Sequence, residues 1–193
     1  AERYGEVLEG LHEIVVPHDI LDAPGTEALV ADKGEIVFDH INFAYGDNAV
    51  FKDFTLTIPA GQRVGLVGPS GSGKTTFVSI LLRQHDIQGG MVRIDGSDIR
   101  TVTQDSLQEA IALVTQDPAL FHRTIPDNIA YVHPTATREE VTEAARKAEA
   151  HEFIMATTDG YETLVGERGV KLSGGQRQRV AIARAIVNRP DVI

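Results

Sequence analysis

One stretch, Gly68-Pro69-Ser70-Gly71-Ser72-Gly73-Lys74-Thr75-Thr76, constrains this chain more than any other. It fits G-x-x-x-x-G-K-[ST], the pattern of a phosphate-binding loop between a strand and a helix. The flanks supply that junction. Arg63-Val64-Gly65-Leu66-Val67 predicts a short buried strand, and Thr76 to Leu82 predicts the first turns of a helix. Glycines let the backbone curl so that successive N–H groups point inward at phosphate oxygens. The helix N-terminus adds partial positive charge at the same spot. Lys74 is placed to reach the β- and γ-phosphates, and the Thr75 hydroxyl to ligate Mg²⁺. The stretch predicts a nucleoside-triphosphate site made of Gly68, Ser70, Gly71, Ser72, Gly73, Lys74, Thr75 and Thr76.

Composition narrows how such a site is used. The 193 residues suffice for one sizeable domain, or one with an inserted lobe, and 42% hydrophobic content suits a packed core. No run of 18 apolar residues occurs, so the sequence predicts no membrane span within it. A net charge of −10 lacks the basic footprint of broad nucleic-acid binding. Zero cysteines exclude disulfides and thiolate metal sites, in keeping with a reducing compartment. The start, Ala1-Glu2-Arg3-Tyr4, lacks the plan of a signal peptide and lacks Met, so the chain is expected to be cut from something longer.

Helical spacing of Tyr4, Val7, Leu8, Leu11 and Val15 predicts a helix at the N-terminus. Pro17 and Asp22-Ala23-Pro24-Gly25 then read as linker. Residues 1–33 are expected to be either the severed connection to an upstream domain or an ordinary helix packed on this one. From Glu35 to Tyr45 the residues alternate like a half-exposed strand, Gly46-Asp47-Asn48 turns it, and Val50 to Ile58 predicts its partner. Gln88-Gly89-Gly90 is expected to break the chain before a short strand, Met91–Ile94, which Asp95-Gly96 ends. Asp105 with Gln108 predicts a capped brief helix, and Ile111–Val114 a buried strand that delivers Gln116. Residues 118–172 predict a helical lobe inserted into an α/β core. Within it Thr137 and Glu140 have capping-box spacing, and Val141, Ala144, Ala145, Ala148 and Ile154 face inward. His85, His122, His133 and His151 lack metal-ligand spacing and read as surface residues, as does His40.

A second anion site lies about a hundred residues after the first. Leu172-Ser173-Gly174-Gly175-Gln176 opens the last helix: Ser173 is a good N-cap, and two glycines leave backbone N–H groups bare. With this pair of motifs the chain resembles the nucleotide-binding domain of ATP-binding-cassette (ABC) transporters. Leu172–Gln176, continued by Arg177-Gln178-Arg179, is similar to their signature motif. Gln116 is similar to their Q-loop glutamine, and Tyr45 to the aromatic that stacks on adenine. Gly166-Glu167-Arg168-Gly169 and Thr124-Ile125-Pro126-Asp127-Asn128-Ile129 resemble the exporter branch. The likeness covers residues 35–193.

The resemblance implies a P-loop NTPase core, an antiparallel β subdomain carrying Tyr45 and an α-helical lobe. It implies a head-to-tail pair of such domains. Each ATP with its Mg²⁺ would lie between one phosphate loop and the partner's Ser173, Gly174, Gly175 and Gln176. Lys74 and Gln116 would serve catalysis, and Thr75 and Gln116 the metal. The domain would drive transmembrane domains of the same or a partner chain from the cytoplasmic face of a membrane. A soluble ABC ATPase of DNA repair, chromosome maintenance or translation is the alternative; the compact lobe and acidic charge favour the exporter. The family's Walker B strand ends in Asp-Glu, whose Glu polarises the attacking water. Here the sequence stops at Asp191-Val192-Ile193, and Asp39, Asp95 and Glu167 do not match that position. The 193 residues alone are therefore expected to be poorly stable and to bind nucleotide without turnover.

Overall fold

In the computed structural model the described residues are 20–166 and 170–193. The expected N-terminal helix, and Glu167-Arg168-Gly169, lie outside them. The chain divides into two compact units. One holds residues up to Val30 with Glu35–Gln104, and the other Ala31–Gly34 with Asp105–Ile193.

The first unit is an antiparallel sheet with one helix on it. Strands β1 (Ile36–Tyr45), β2 (Asn48–Ile58), β3 (Gly89–Ile94) and β4 (Ser97–Asp98) pair in the order β2-β1-β3-β4. Helix α1 (Lys74–Leu81) lies between β2 and β3 in the chain. It docks through Phe77, whose ring stacks on Phe38 at 4.3 Å and meets Phe54 edge-on at 6.4 Å. Each such ring removed from water contributes about 1.5–3 kcal/mol.

The alternation of β1 slips once. Ile36 and Phe38 are buried, then Ile41 and Phe43. The extra residue is accommodated by a bulge: Asp39 faces Met91 and Asn42 faces Gly89, so His40 and Ile41 oppose Gly90 alone. His40 takes φ 51°, a left-handed value that most residues avoid. Its Nδ1 bonds to Asp53, which raises the His40 pKa. The bulge fits because position 90 has no side chain. A Cβ on Gly90, itself at φ 85°, would lie 2.4 Å from the His40 carbonyl oxygen and 2.5 Å from that of Asp39. The slip puts Tyr45 on the same sheet face as Ile41 and Phe43, whereas strict alternation from Ile36 would have turned it to the other.

Several local expectations are corrected. Gly89-Gly90 belong to β3 and do not break it, because the bulge in β1 needs a glycine partner there. Arg63–Val67 is not a strand: the run is irregular and exposed, with Val67 95% exposed. A buried parallel strand needs neighbours for its ladder and a cover on both faces, and among the described residues no strand pairs with it. Helix α2 (Gln104–Ala110) contains Asp105 in its first turn rather than being capped by it. The Gln104 N–H donates instead to Asp22, 2.9 Å away, from the stretch expected to be linker. Glu27 in the same stretch bridges Val102.

The second unit is mostly helical. Helices α3 (Ile125–Ile129), α4 (Arg138–Lys147), α5 (His151–Met155) and α6 (Gly174–Val187) surround one apolar cluster that includes Ile129, Val141, Ala145, Ile154 and Val180. Thr137 and Glu140 form the expected capping box, and the Thr137 N–H on the carboxylate lowers the Glu140 pKa. The inward residues Val141, Ala144, Ala145, Ala148 and Ile154 are all buried, with Ile154 on a separate helix because Glu149 breaks the run at φ 55°. Asn128 is fully buried. It donates to the Phe121 and Thr124 carbonyls at 3.0 Å and accepts from the Phe121 N–H at 2.8 Å. Arg184 of α6 donates to its carbonyl at 2.7 Å, and burial lowers the Arg184 pKa. Ile111–Val114 is not a strand. Among the described residues it makes a single parallel bridge, Ile111 to Val192, and Leu113 is 55% exposed. One bridge leaves most of the run's ladder groups without a neighbouring strand among the described residues.

Candidate functional site

The phosphate loop belongs to the first unit. Its two turns need glycine: Gly71 takes φ 80° and Gly73 φ 87°. Gly73 is the N-cap of α1 and, lacking a side chain, leaves the helix's first N–H groups without a side-chain acceptor. The loop has a wall behind it. A Cβ on Gly73 would lie 3.1 Å from Val50 and 3.3 Å from the Phe51 ring. Phe51 leans on Phe54 at 4.9 Å, so the turn rests on the aromatic packing that also holds Phe77.

Lys74 curls back over its own loop. Its ammonium donates to the Gly68 and Pro69 carbonyls at 2.8 Å and to the Ser72 hydroxyl at 3.2 Å. The charge is thus held over the Gly68–Ser72 stretch of the loop, where the Ser72 N–H closes a turn on the Pro69 carbonyl at 3.3 Å. Thr75 is exposed at the first turn of α1, while Thr76 is buried beneath it. Gly68, Ser70, Gly71 and Ser72 are exposed as well. The pattern fits an oxyanion ligand: a positive charge, a helix N-terminus and glycine turns converge on an open loop. It also fits Mg²⁺ brought by phosphates. The Thr75 hydroxyl is a neutral ligand, and Mg²⁺ is typically held by one or two protein groups plus substrate phosphates and water.

Tyr45 ends β1 and is 44% exposed. Phe43 meets its ring at 4.9 Å and His85 at 5.2 Å, both edge-to-face. His85, expected on the surface, is half-buried in this trio. His151 is half-buried too, 2.9 Å from the Tyr161 hydroxyl. Val50, Phe51, His85 and Gln88 were not read from sequence as site residues. A signal existed for the first two, because β2 leads directly into the loop. None existed for the others, because a lone His or Gln after a helix has no pattern.

The second anion loop belongs to the second unit. Ser173 caps α6: its hydroxyl accepts from the Gln176 N–H at 3.2 Å, and the Gln176 side chain accepts from the Ser173 N–H at 2.8 Å. That reciprocal box occupies the Gln176 N–H and leaves those of Gly174 and Gly175 at the open end of a 14-residue helix. Among the described residues nothing lies within 4 Å of where a Cβ on either glycine would sit. Arg177 follows and links this end to the segment after Gln116, donating to the Leu172 carbonyl at 3.1 Å and to Asp117 at 3.2 Å. Gln116 itself is exposed on an irregular segment rather than at a strand end. The structure thus gathers the phosphate loop and Tyr45 in one unit, and Gln116 with the Ser173 helix end in the other.

Two of the carboxylates weighed from sequence have structural partners. Asp39 pairs with Arg93 across the sheet, and Asp95 accepts from the Glu35 N–H at 2.9 Å. Glu167 lies outside the described residues. No helix among the described residues is long and apolar enough to cross a membrane.

The ABC transporter family pattern matches residues 51–193. An uncharacterized ABC transporter ATP-binding protein of Haemophilus influenzae is 46% identical over 198 residues, covering 100% of this chain and 32% of that protein. Human ATP-binding cassette sub-family B member 6 is 49% identical over 176 residues, covering 91% of this chain and 21% of that protein. The solved structure of a bacterial Atm1-family ABC exporter with ATP bound superposes with a TM-score of 0.85 at 43% identity, covering 97% of this chain and 33% of that one. The chain therefore has the P-loop NTPase fold with an antiparallel β part and added helices. It spans about a third or less of the length of these relatives.

Proposed function

The chain belongs to the ABC transporter family, and from that premise we propose that it is the ATP-binding domain of a membrane exporter. In this reading two copies, or this domain and a similar one, close head to tail on Mg²⁺-ATP. Lys74 and the glycine-turn N–H groups hold the β- and γ-phosphates. Thr75 and Gln116 hold Mg²⁺, and Gln116 is also poised at the transferred phosphoryl group. Tyr45 stacks on the base. Ser173, Gly174, Gly175 and Gln176 complete the partner's site, and closure drives transmembrane domains from the cytoplasmic face. Phosphoryl transfer of this kind is mostly positioning and charge stabilisation. The observation that carries the reading is the second bare helix end at Gly174-Gly175, since one ATP per chain needs only the first.

The partner's half of the site is separable from ATP binding. Ser173→Arg removes the cap of the second helix and fills the space in front of it with a bulky side chain, far in sequence from Lys74. Binding of ATP to the single copy is expected to stay within about twofold, while ATP-dependent association is lost. Light scattering with and without ATP reads this directly. Association that persists in the variant would count against the shared site.

Base stacking is tested on Tyr45. Tyr45→Ala is expected to weaken ATP and ADP alike, by about tenfold, because both carry the base and stacking contributes ~1–3 kcal/mol. Tyr45→Trp is expected to bind nearly normally. Calorimetric titration of both nucleotides checks it, and a loss confined to ATP would contradict it.

Turnover is a separate matter. Asp39 and Asp95 are engaged elsewhere, which supports the reading that neither polarises the attacking water. The 193 residues alone are expected to bind ATP without releasing phosphate.

A further inference from the structure

The segment that follows α1 turns back onto the strand that carries Tyr45. Arg83, at φ 48°, ends the helix, and its N–H donates to the Ile80 carbonyl at 2.9 Å. Its guanidinium is buried and donates to the Ile99 and Val102 carbonyls at 3.3 and 3.4 Å. The turn is therefore anchored at its start. At its far end the Gln88 N–H donates to the Asn42 carbonyl at 3.0 Å.

The Gln88 side chain then does what a neighbouring strand would do. Its Oε1 accepts from the Ala44 N–H at 2.9 Å, and its Nε2 donates to the Ala44 carbonyl at 3.1 Å. On this side β1 has run out of partner, because its pairing with β3 stops at Asn42 and Gly89. Ala44 would otherwise present an unpaired N–H and C=O to water just before Tyr45, leaving the strand end held on its β2 side alone, by the pairing of Ala44 with Ala49 and Tyr45 with Asn48. Between the two anchors His85 lays its ring against Tyr45 at 5.2 Å and Phe43 at 5.7 Å.

We propose that Gln88 and His85 are positioning residues that hold Tyr45 ready for the nucleotide base, tying the base site to the end of the phosphate-loop helix. Gln88 fixes the backbone one residue before Tyr45, and His85 limits its ring to one orientation. The freedom of Tyr45 is then lost on folding rather than on binding, which favours affinity. The inference rests on the reading that Tyr45 stacks on the base.

The 193 residues contain no tryptophan, so Tyr45→Trp gives a single reporter at the base site. ADP carries a base and tripolyphosphate does not, so the two probes separate base from phosphate binding. In the chain, Gln88→Ala and His85→Ala are each expected to lower ADP affinity by about fivefold, with tripolyphosphate affinity unchanged. In the Tyr45→Trp background each is expected to lower the reporter's anisotropy. His85→Phe, which keeps a ring, restores ADP affinity. Gln88→Glu, which keeps the acceptor for Ala44 but not the donor, falls between. In a Tyr45→Ala background Gln88→Ala has no further effect. Equal losses for both probes, full additivity with Tyr45→Ala, or no change in ADP affinity would overturn the brace. If Tyr45→Ala alone leaves ADP affinity unchanged, the base-stacking reading itself fails and the brace with it. Should Gln88→Ala not fold, His85→Ala against His85→Phe decides the matter alone.

Discussion

Replacing Lys74 with alanine lowers ATP affinity by about 100-fold or more and leaves the fold in place. Two charge-assisted bonds to phosphate, at ~1.5–3 kcal/mol each, are removed together. The structural loss is small. The ammonium's three partners, Gly68, Pro69 and Ser72, are exposed loop groups that water can satisfy. No apolar core is touched, so unfolding free energy is expected to change by about 1 kcal/mol or less. Titration calorimetry together with a thermal melt checks both halves. Unaltered ATP affinity in the variant would remove the phosphate loop from the account, and a large drop in melting temperature would show that Lys74 is structural.

The largest stability effect is expected at Gly90, a residue that touches no ligand. Gly90→Ala forces a methyl group to within 2.4 to 2.5 Å of two backbone carbonyl oxygens, at a φ of 85°. Neither oxygen belongs to a side chain that could swing away. The left-handed conformation costs alanine about 1–2 kcal/mol, and overpacking typically adds about 1–3. A total of about 2–5 kcal/mol is a large share of the ~5–15 by which domains are stable. The bulge at His40 has to open or β3 has to part from β1, and either change turns Tyr45 away. Denaturant unfolding is therefore expected to show a lower midpoint, and any folded fraction to lose base-dependent affinity. Wild-type stability in Gly90→Ala would mean that β1 and β3 do not pair as described.

The sequence was most legible where one residue type has one physical use. Gly71 and Gly73 take the positive φ that the loop pattern requires at the start of a helix, and Ser173 caps α6 as its residue type predicts, in a box with Gln176. The strand pair 36–45 and 48–58 follows from alternation and a glycine turn. What was not legible depends on residues far apart in sequence. The bulge of β1 is decided by Gly90 across the sheet, so alternation alone assigns Tyr45 to the wrong face. Asp22 caps α2 from 82 residues away, and no local spacing predicts it. Arg63–Val67 and Ile111–Val114 are apolar runs whose strand character needs neighbours, and composition cannot supply those. His85 and Gln88 acquire meaning only from where β1 ends.

The central claim is that one chain's phosphate loop and another chain's Ser173 helix end share an ATP. The 193 residues contain no cysteine, which permits a clean test. One preparation carries Ser70→Cys in the phosphate loop. A second carries Lys171→Cys, exposed two residues before the Ser173 cap and outside it. The two are mixed and oxidised gently, so that a mixed disulfide can join only different chains. The account predicts Ser70–Lys171 cross-linking in the presence of ATP, little without it, and none when Lys74→Ala is added to both. Cross-linking that ignores ATP, or that never forms although both variants bind ATP, would contradict it.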